Sequence, residues 1–158
     1  MLEENEAPPA GSVLEVETAV VGFDGSECSQ RALDAACAVV SDAGTVHVVT
    51  AYSAPSNREI LEAYASVPAE FTAQIDLVDR QRSQLAQAGE YVARSGATVK
   101  EHLVDDEPAA AILQVAEDVG AEMIVVGSRG MGRLSQVLRG SVSTKIAHHS
   151  PVNYMVIH

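Results

Sequence analysis

The sequence predicts an α/β fold: a single-domain, open sheet of five parallel strands with helices on both faces. Three observations carry that expectation. Five short runs of apolar, mostly β-branched residues recur along the chain, each bounded by turn residues. Between them lie longer segments whose apolar residues repeat at helical spacing. Strands alternating with helices of this length imply right-handed crossovers into a parallel sheet. The 158 residues, 47% apolar and 20% charged, are enough for one core in an ordinary globular chain.

Residues 1–17 hold five Glu and no base, with Pro8 and Pro9, and read as a flexible acidic arm. Thr18 to Phe23 is a buried strand ending in the turn Asp24-Gly25-Ser26. Ser26 caps a helix to about Ser41, with Ala32, Leu33, Ala36, Cys37 and Val40 on its apolar face. Asp42-Ala43-Gly44 ends that helix, and Thr45 to Ala51 is the second strand. Arg58–Ala65 and Ala69–Arg94 both read as helical, with Pro68 interrupting or starting the second, and residues 55–69 are open to more than one conformation. Ile75, Val78, Leu85 and Val92 form the stripe of the second helix, which Gly96 stops. Ala97 to Val104 alternates as a third strand. Acidic caps at Asp105–Glu107 and Pro108 open a helix over Ala109–Val119, which packs Ala110, Ile112, Leu113 and Ala116 and closes at Gly120. Met123–Val126 is the fourth strand, Val142–His149 the last helix, and Val152–Ile157 the fifth strand.

Net charge is −12, the wrong sign for general binding to nucleic acid or an anionic membrane. No apolar run is long enough to span a bilayer, and the acidic N-terminus does not look like a targeting peptide. Cys28 and Cys37 lie on one helix about 13 Å apart along its axis and cannot bond to each other. A reducing, cytoplasmic setting is the expectation.

The C-terminal part departs from the rest. Residues 127–158 contain no Asp or Glu, while Arg129, Arg133, Arg139 and Lys145 give them +4; the other 126 residues carry all 22 acids and six bases, or −16. Within this stretch, glycine-rich Gly127–Gly132 follows a strand, and Gly140-Ser141 opens a helix. Glycines admit a ligand close to bare backbone N–H groups. A helix N-terminus directs unpaired N–H groups and a partial positive charge at one point. Together these make a phosphate-binding arrangement in an acidic protein. A glycine-rich connection with a solvated basic helix face is the competing reading.

Gly127-x-x-Gly130, nine residues, then Gly140-Ser141 resembles the glycine signature of the universal stress protein family, in its nucleotide-binding branch. The resemblance extends to Ala19–Phe23 with Asp24-Gly25-Ser26, to Val46–Tyr52 and to Pro151–Ile157, and so covers about residues 18–158. It implies strand order 3-2-1-4-5, a fold shared with adenine-nucleotide α-hydrolases. It further implies that Gly127, Gly130, Gly140 and Ser141 cradle phosphates, with Arg129 steering the phosphate tail. Val142 and Ser143 would offer backbone N–H groups, and Ser143 a hydroxyl. Asp24 is carried over as a ribose contact; as a residue before Gly25 it also reads as a turn former. The adenine pocket falls on the backbone of Ala51. ATP, with or without magnesium, is the implied ligand, and AMP and cyclic AMP are the alternatives. The fifth strand is an apolar sheet edge, and the family's habit implies a homodimer through residues 152–157.

Other chemistries find no support. No G-x-x-x-x-G-K-[ST] loop is present; Gly130-Met-Gly132 lacks the final glycine of a dinucleotide loop and follows the fourth strand. There is no G-x-S-x-G elbow, and no Cys or His pair has metal-site spacing. His148 and His149 suit the C-terminal end of a helix dipole. The first expectation is therefore a regulatory, ATP-binding stress protein with slow hydrolysis at most. A cyclic AMP or AMP module, a weak hydrolase using Asp24, and an interaction protein with a vestigial site are its rivals.

Overall fold

A computed structural model describes residues 15–52, 68–128 and 140–158, with residues 68–77 as backbone only. Its elements in chain order are β1 (Val16–Gly22), α1 (Glu27–Val39), β2 (Val40–Tyr52), α2 (Pro68–Arg94), β3 (Thr98–Asp105), α3 (Pro108–Val119), β4 (Met123–Gly127), α4 (Ser141–His149) and β5 (Asn153–Ile157). The five strands form one parallel sheet in the order β3-β2-β1-β4-β5. The helix expected over Arg58–Ala65 and residues 1–14 of the arm expected over 1–17 lie outside the described residues; β1 already takes in Val16 and Glu17, and Pro68 starts α2.

Two apolar layers cover the sheet. On one face Ala32, Leu33 and Ala36 of α1 and Leu85, Ala88 and Val92 of α2 pack on Ala19, Val21, Val46, Val48 and Val125. On the other, Ala109, Ile112, Val115 and Ala116 of α3 and Ile146 of α4 pack on Val20, Val49, Ile124 and Val126. Covering both faces explains the unbroken apolar runs of β1 and β4, where Val20, Val21, Ile124 and Val125 are fully buried. On α3 the buried stripe is Ala109, Ala111, Ile112, Val115 and Ala116, so the expected place of Ala110 in the core is taken by its neighbours. Gly120 closes α3 in the left-handed conformation at φ 64°, its N–H returning to the carbonyls of Ala116 and Glu117.

The boundary between α1 and β2 differs from expectation. The helix ends at Val39, and residues 40–44 are already extended, with Val40 paired to Val16 across a register shift. Gly44 is thus a strand residue rather than a helix stop. A side chain there would meet the Glu17 carbonyl oxygen at 2.8 Å, so β1 and β2 need glycine to approach this closely. Two consecutive β-branched residues, Val39 and Val40, favour the extended form over another helical turn.

Sequence reading missed a histidine pair inside the sheet. His47 of β2 is 4% exposed, and its Nδ1 lies 2.9 Å from Nε2 of His102 on β3, the rings stacked at 22°. The sequence alternates Val99, Glu101 and Leu103 against Thr98, Lys100 and His102, which leaves His102 on the polar side of β3; Thr98 and Lys100 are indeed exposed, but His102 is partly covered and has a buried partner. Such a bond needs one nitrogen donating and the other accepting, so at least one of the two rings must be neutral. Burial, then the charge of His102, then Lys100 push the His47 pKa down to about 4; burial and Lys100 lower that of His102. In the unfolded chain the same ring titrates near its ordinary value of 6.5, so the unfolded state binds the proton first as pH falls. Stability is therefore full above pH 6.5 and is lost between there and about 4. With solvent screening of the partly covered pair, the loss from this group is on the order of 1–3 kcal/mol. Urea midpoints measured from pH 7 to pH 4.5 should fall, and His47→Gln should flatten that slope; an equal slope in the variant contradicts the assignment.

Candidate functional site

The two central strands define where a ligand would sit. After β1 the chain crosses to the face of α1, and after β4 to the face of α3 and α4. The strand order reverses between β1 and β4, which leaves a crevice at their C-terminal ends. Val21 pairs with Val125, so Asp24 and Gly127 follow neighbouring strand ends although they are far apart in sequence.

At the end of β1, local turn chemistry is complete. Asp24 Oδ1 accepts the Ser26 N–H at 3.0 Å, Gly25 takes φ 80°, and Ser26 Oγ accepts the Ser29 N–H at 3.2 Å to cap α1. Asp24 thus does form the turn, at the crevice end of β1.

At the end of β4, Gly127 and Gly140 do different work. A side chain on Gly127 would meet the Cys28 backbone carbon and Cβ at 2.8 Å, so this glycine lets the first turn of α1 lie against β4. Ser128 then bonds on both sides: its N–H donates to the Ile157 carbonyl at 2.7 Å, and its carbonyl accepts the Gly140 N–H at 2.8 Å. The second bond fixes the start of α4 beside the end of β4. A side chain on Gly140 would come within 2.9 Å of that same Ser128 oxygen, although its φ of −65° is ordinary. Glycine is needed there for close approach, not for backbone conformation. Arg129 and Gly130 lie outside the described residues.

The helix that starts here is left open. Ser26 caps α1 and Glu107 caps α3 through side-chain acceptors, but no side chain caps α4. The N–H groups of Ser141, Val142 and Ser143 occupy the first turn, where a helix has no partners of its own. Ser143 is 4% exposed and donates its hydroxyl to the Gly140 carbonyl at 3.0 Å, so only its N–H remains to be offered. Ser128 Oγ is buried and has no partner among the described residues. A buried hydroxyl in that state calls for a ligand or water.

Charge near the site is partly committed. Lys145 pairs with Glu107 at 3.1 Å, tying α4 to the start of α3. Burial pushes the Glu107 carboxyl up, but Lys145 and the N–H groups of Ala110 and Ala109 outweigh it and hold it below its ordinary value. Lys145 is thus committed to Glu107, and the positive potential that the described residues offer at the start of α4 is that of the helix N-terminus.

Ala51 completes the outline. The Val49 carbonyl accepts from Phe23, the residue after β1, at 2.9 Å, and the Tyr52 carbonyl accepts from Asp106 on the β3 side at 3.1 Å. Strand carbonyls alternate in direction, so the Ala51 backbone faces the β1 side. There β1 has already ended at Gly22. Its N–H and C=O therefore point past the end of β1, into the crevice. A separate cleft of about 420 Å³ between α1 and α2, lined by Phe23, Gln30, Gln84, Tyr91 and Arg94, includes none of Ala51, Gly127, Ser128 or Gly140. Among the described residues no three His, Cys, Asp or Glu side chains are grouped to hold a metal ion, and no helix is long and apolar enough to cross a membrane.

Comparison with known proteins agrees with this outline. The profile of the universal stress protein family matches residues 15–158. The chain is 31% identical to the universal stress protein YxiE of Bacillus subtilis, over 87% of this chain and 96% of that protein. Among solved structures, the protein MJ0577 superposes with a TM-score of 0.74 over 92% of this chain and 96% of its own, at 23% identity, a likeness of fold. A universal stress protein crystallised in complex with cAMP superposes with a TM-score of 0.63 at 27% identity, covering 91% of this chain and 98% of its own. With profile, relatives and sheet order in agreement over nearly the whole described chain, the protein belongs to the universal stress protein family.

Proposed function

We propose that the protein binds an adenine nucleotide, ATP foremost, in the crevice between β1 and β4, and acts as a sensor or regulator in stress rather than as an efficient hydrolase. One observation carries this reading: the N-terminus of α4 lacks a side-chain cap and is tied by Gly140 and Ser128 to the end of β4. The phosphates would lie on the N–H groups of Ser141, Val142 and Ser143, with Gly127, Arg129 and Gly130 completing the cradle. Asp24 would accept from the ribose hydroxyls, and the Ala51 backbone would hold the base. Magnesium, if it accompanies ATP, would be held largely by phosphate oxygens and water. Among the described residues, hydrolysis has no dedicated base beyond the Asp24 carboxylate.

A second ligand has support of its own, since a relative at 27% identity was crystallised in complex with cAMP. Calorimetric titration with ATP, followed by competition with cyclic AMP and AMP, ranks the three. Tight ATP binding that cyclic AMP displaces only weakly favours the first reading; the reverse order makes cyclic AMP the ligand.

The working form under this proposal is a cytoplasmic homodimer. Cys28 and Cys37 are unbridged, as a reducing compartment requires. The strand β5 is a sheet edge that carries an exposed large residue, Tyr154, and pairing with its mate would cover both. Light scattering at micromolar concentration should give twice the mass of one chain, and a monomeric mass removes the dimer.

A further inference from the structure

Beside the Ala51 backbone edge lies a polar side chain of α2 with an unpaired atom. The apolar stripe of α2 runs through Leu85, Ala88 and Val92, and one turn before Leu85 it meets Gln81, where helical spacing calls for another apolar residue. The Gln81 Nε2 lies 3.4 Å from the Ala51 carbonyl oxygen, and its Oε1 is buried with no partner among the described residues. This orientation is not interchangeable with its flip. Turning the amide over would set two oxygens against each other, so the carbonyl of Ala51 fixes Nε2 toward itself and Oε1 away. Gln81 therefore holds an unpaired acceptor beside the backbone edge that points past the end of β1.

Resting on the adenine-nucleotide reading, we infer that Gln81 is a base-specificity residue whose Oε1 accepts a hydrogen of the adenine 6-amino group. A base lying along the Ala51 backbone edge sits next to this amide. Adenine offers an amine with two hydrogens, so one is free for Oε1 even when the other is taken by a backbone carbonyl. Hypoxanthine and guanine carry a carbonyl oxygen at that position and would place two acceptors face to face. A buried acceptor that is satisfied only by the correct base discriminates through the cost of leaving it unpaired. The pairing of glutamine with the amino edge of adenine is also a common mode of base recognition.

The test is a pair of titrations, ATP and inosine triphosphate, on the full chain and on Gln81→Met. The two nucleotides share ribose and phosphates, so inosine triphosphate reports on the rest of the crevice. The unsubstituted chain should bind ATP at least about tenfold more tightly than inosine triphosphate. In Gln81→Met the ATP affinity should fall by about tenfold with that for inosine triphosphate nearly unchanged, so the preference collapses. An unchanged preference in the variant overturns the role of Gln81 and leaves adenine-nucleotide binding standing. An equal loss of both nucleotides also overturns it, because a merely structural glutamine gives that pattern. No binding of either nucleotide to the unsubstituted chain removes both this inference and the proposal beneath it.

Discussion

A Gly140→Val variant is expected to lose at least about a hundredfold in ATP affinity while keeping its secondary structure. The argument is one of distance. The Gly140 Cα sits so close to the end of β4 that a Cβ would lie 2.9 Å from the Ser128 carbonyl oxygen, which itself accepts the Gly140 N–H at 2.8 Å. A branched side chain pushes the start of α4 away from that carbonyl and turns its first N–H groups off their common point. Hydrogen bonds to a charged acceptor contribute about 1.5–3 kcal/mol each, so misdirecting two of them is enough for the stated loss. Calorimetric titration measures the affinity, and far-UV circular dichroism checks the fold. Unchanged affinity in a folded variant means that the phosphates do not lie on α4.

Gly127→Val should have the opposite signature, a loss of stability first. Here the would-be side chain faces the first turn of α1, with the Cys28 carbon and Cβ at 2.8 Å and the Ser29 nitrogen at 3.0 Å. Backbone atoms cannot rotate aside as a side chain end does, so α1 must shift off β4. That shift strains a helix whose Leu33 and Ala36 are fully buried against the sheet. Overpacking of this kind costs about 3 kcal/mol, which lowers the melting temperature of a domain of this size by about 6–12 °C. Thermal denaturation reads it directly. A melting temperature within a degree of the parent chain would mean that α1 does not rest on Gly127. Two glycines of one sequence signature are thus expected to differ in what their substitution disturbs first, affinity at Gly140 and stability at Gly127, which their spacing alone does not distinguish.

Much of the fold was legible because local chemistry and global architecture agree. Asp24-Gly25-Ser26 announces a turn and a cap, and it makes both. Pro108 and Gly120 bound α3 as their backbone preferences require. The continuous apolar runs of β1 and β4 state that both faces are covered. The strand order came from the family resemblance, since neither length nor periodicity distinguishes one parallel order from another. What was hidden depended on contacts between distant segments. Gly44 looks like a helix stop until β1 is seen lying against it. His102 looks solvent-facing on β3 until His47 is set beside it from β2. Gln81 looks like a polar helix residue until Ala51 comes within reach. At the site, the closeness of Gly140 to Ser128 makes the spacing of the two glycine turns intelligible.

The central claim is that the crevice holds an adenine nucleotide, and the most direct measurement is on freshly purified protein. Denaturing it and identifying any released nucleotide by chromatography and mass, then titrating the stripped protein with ATP and cyclic AMP, answers the question in one preparation. The account predicts an adenine nucleotide bound at up to one per chain, or, where none is carried through purification, saturable binding of ATP to the stripped protein. A protein that is empty as purified, and whose melting temperature is unmoved by millimolar ATP or cyclic AMP, would contradict it and leave the interaction-protein reading.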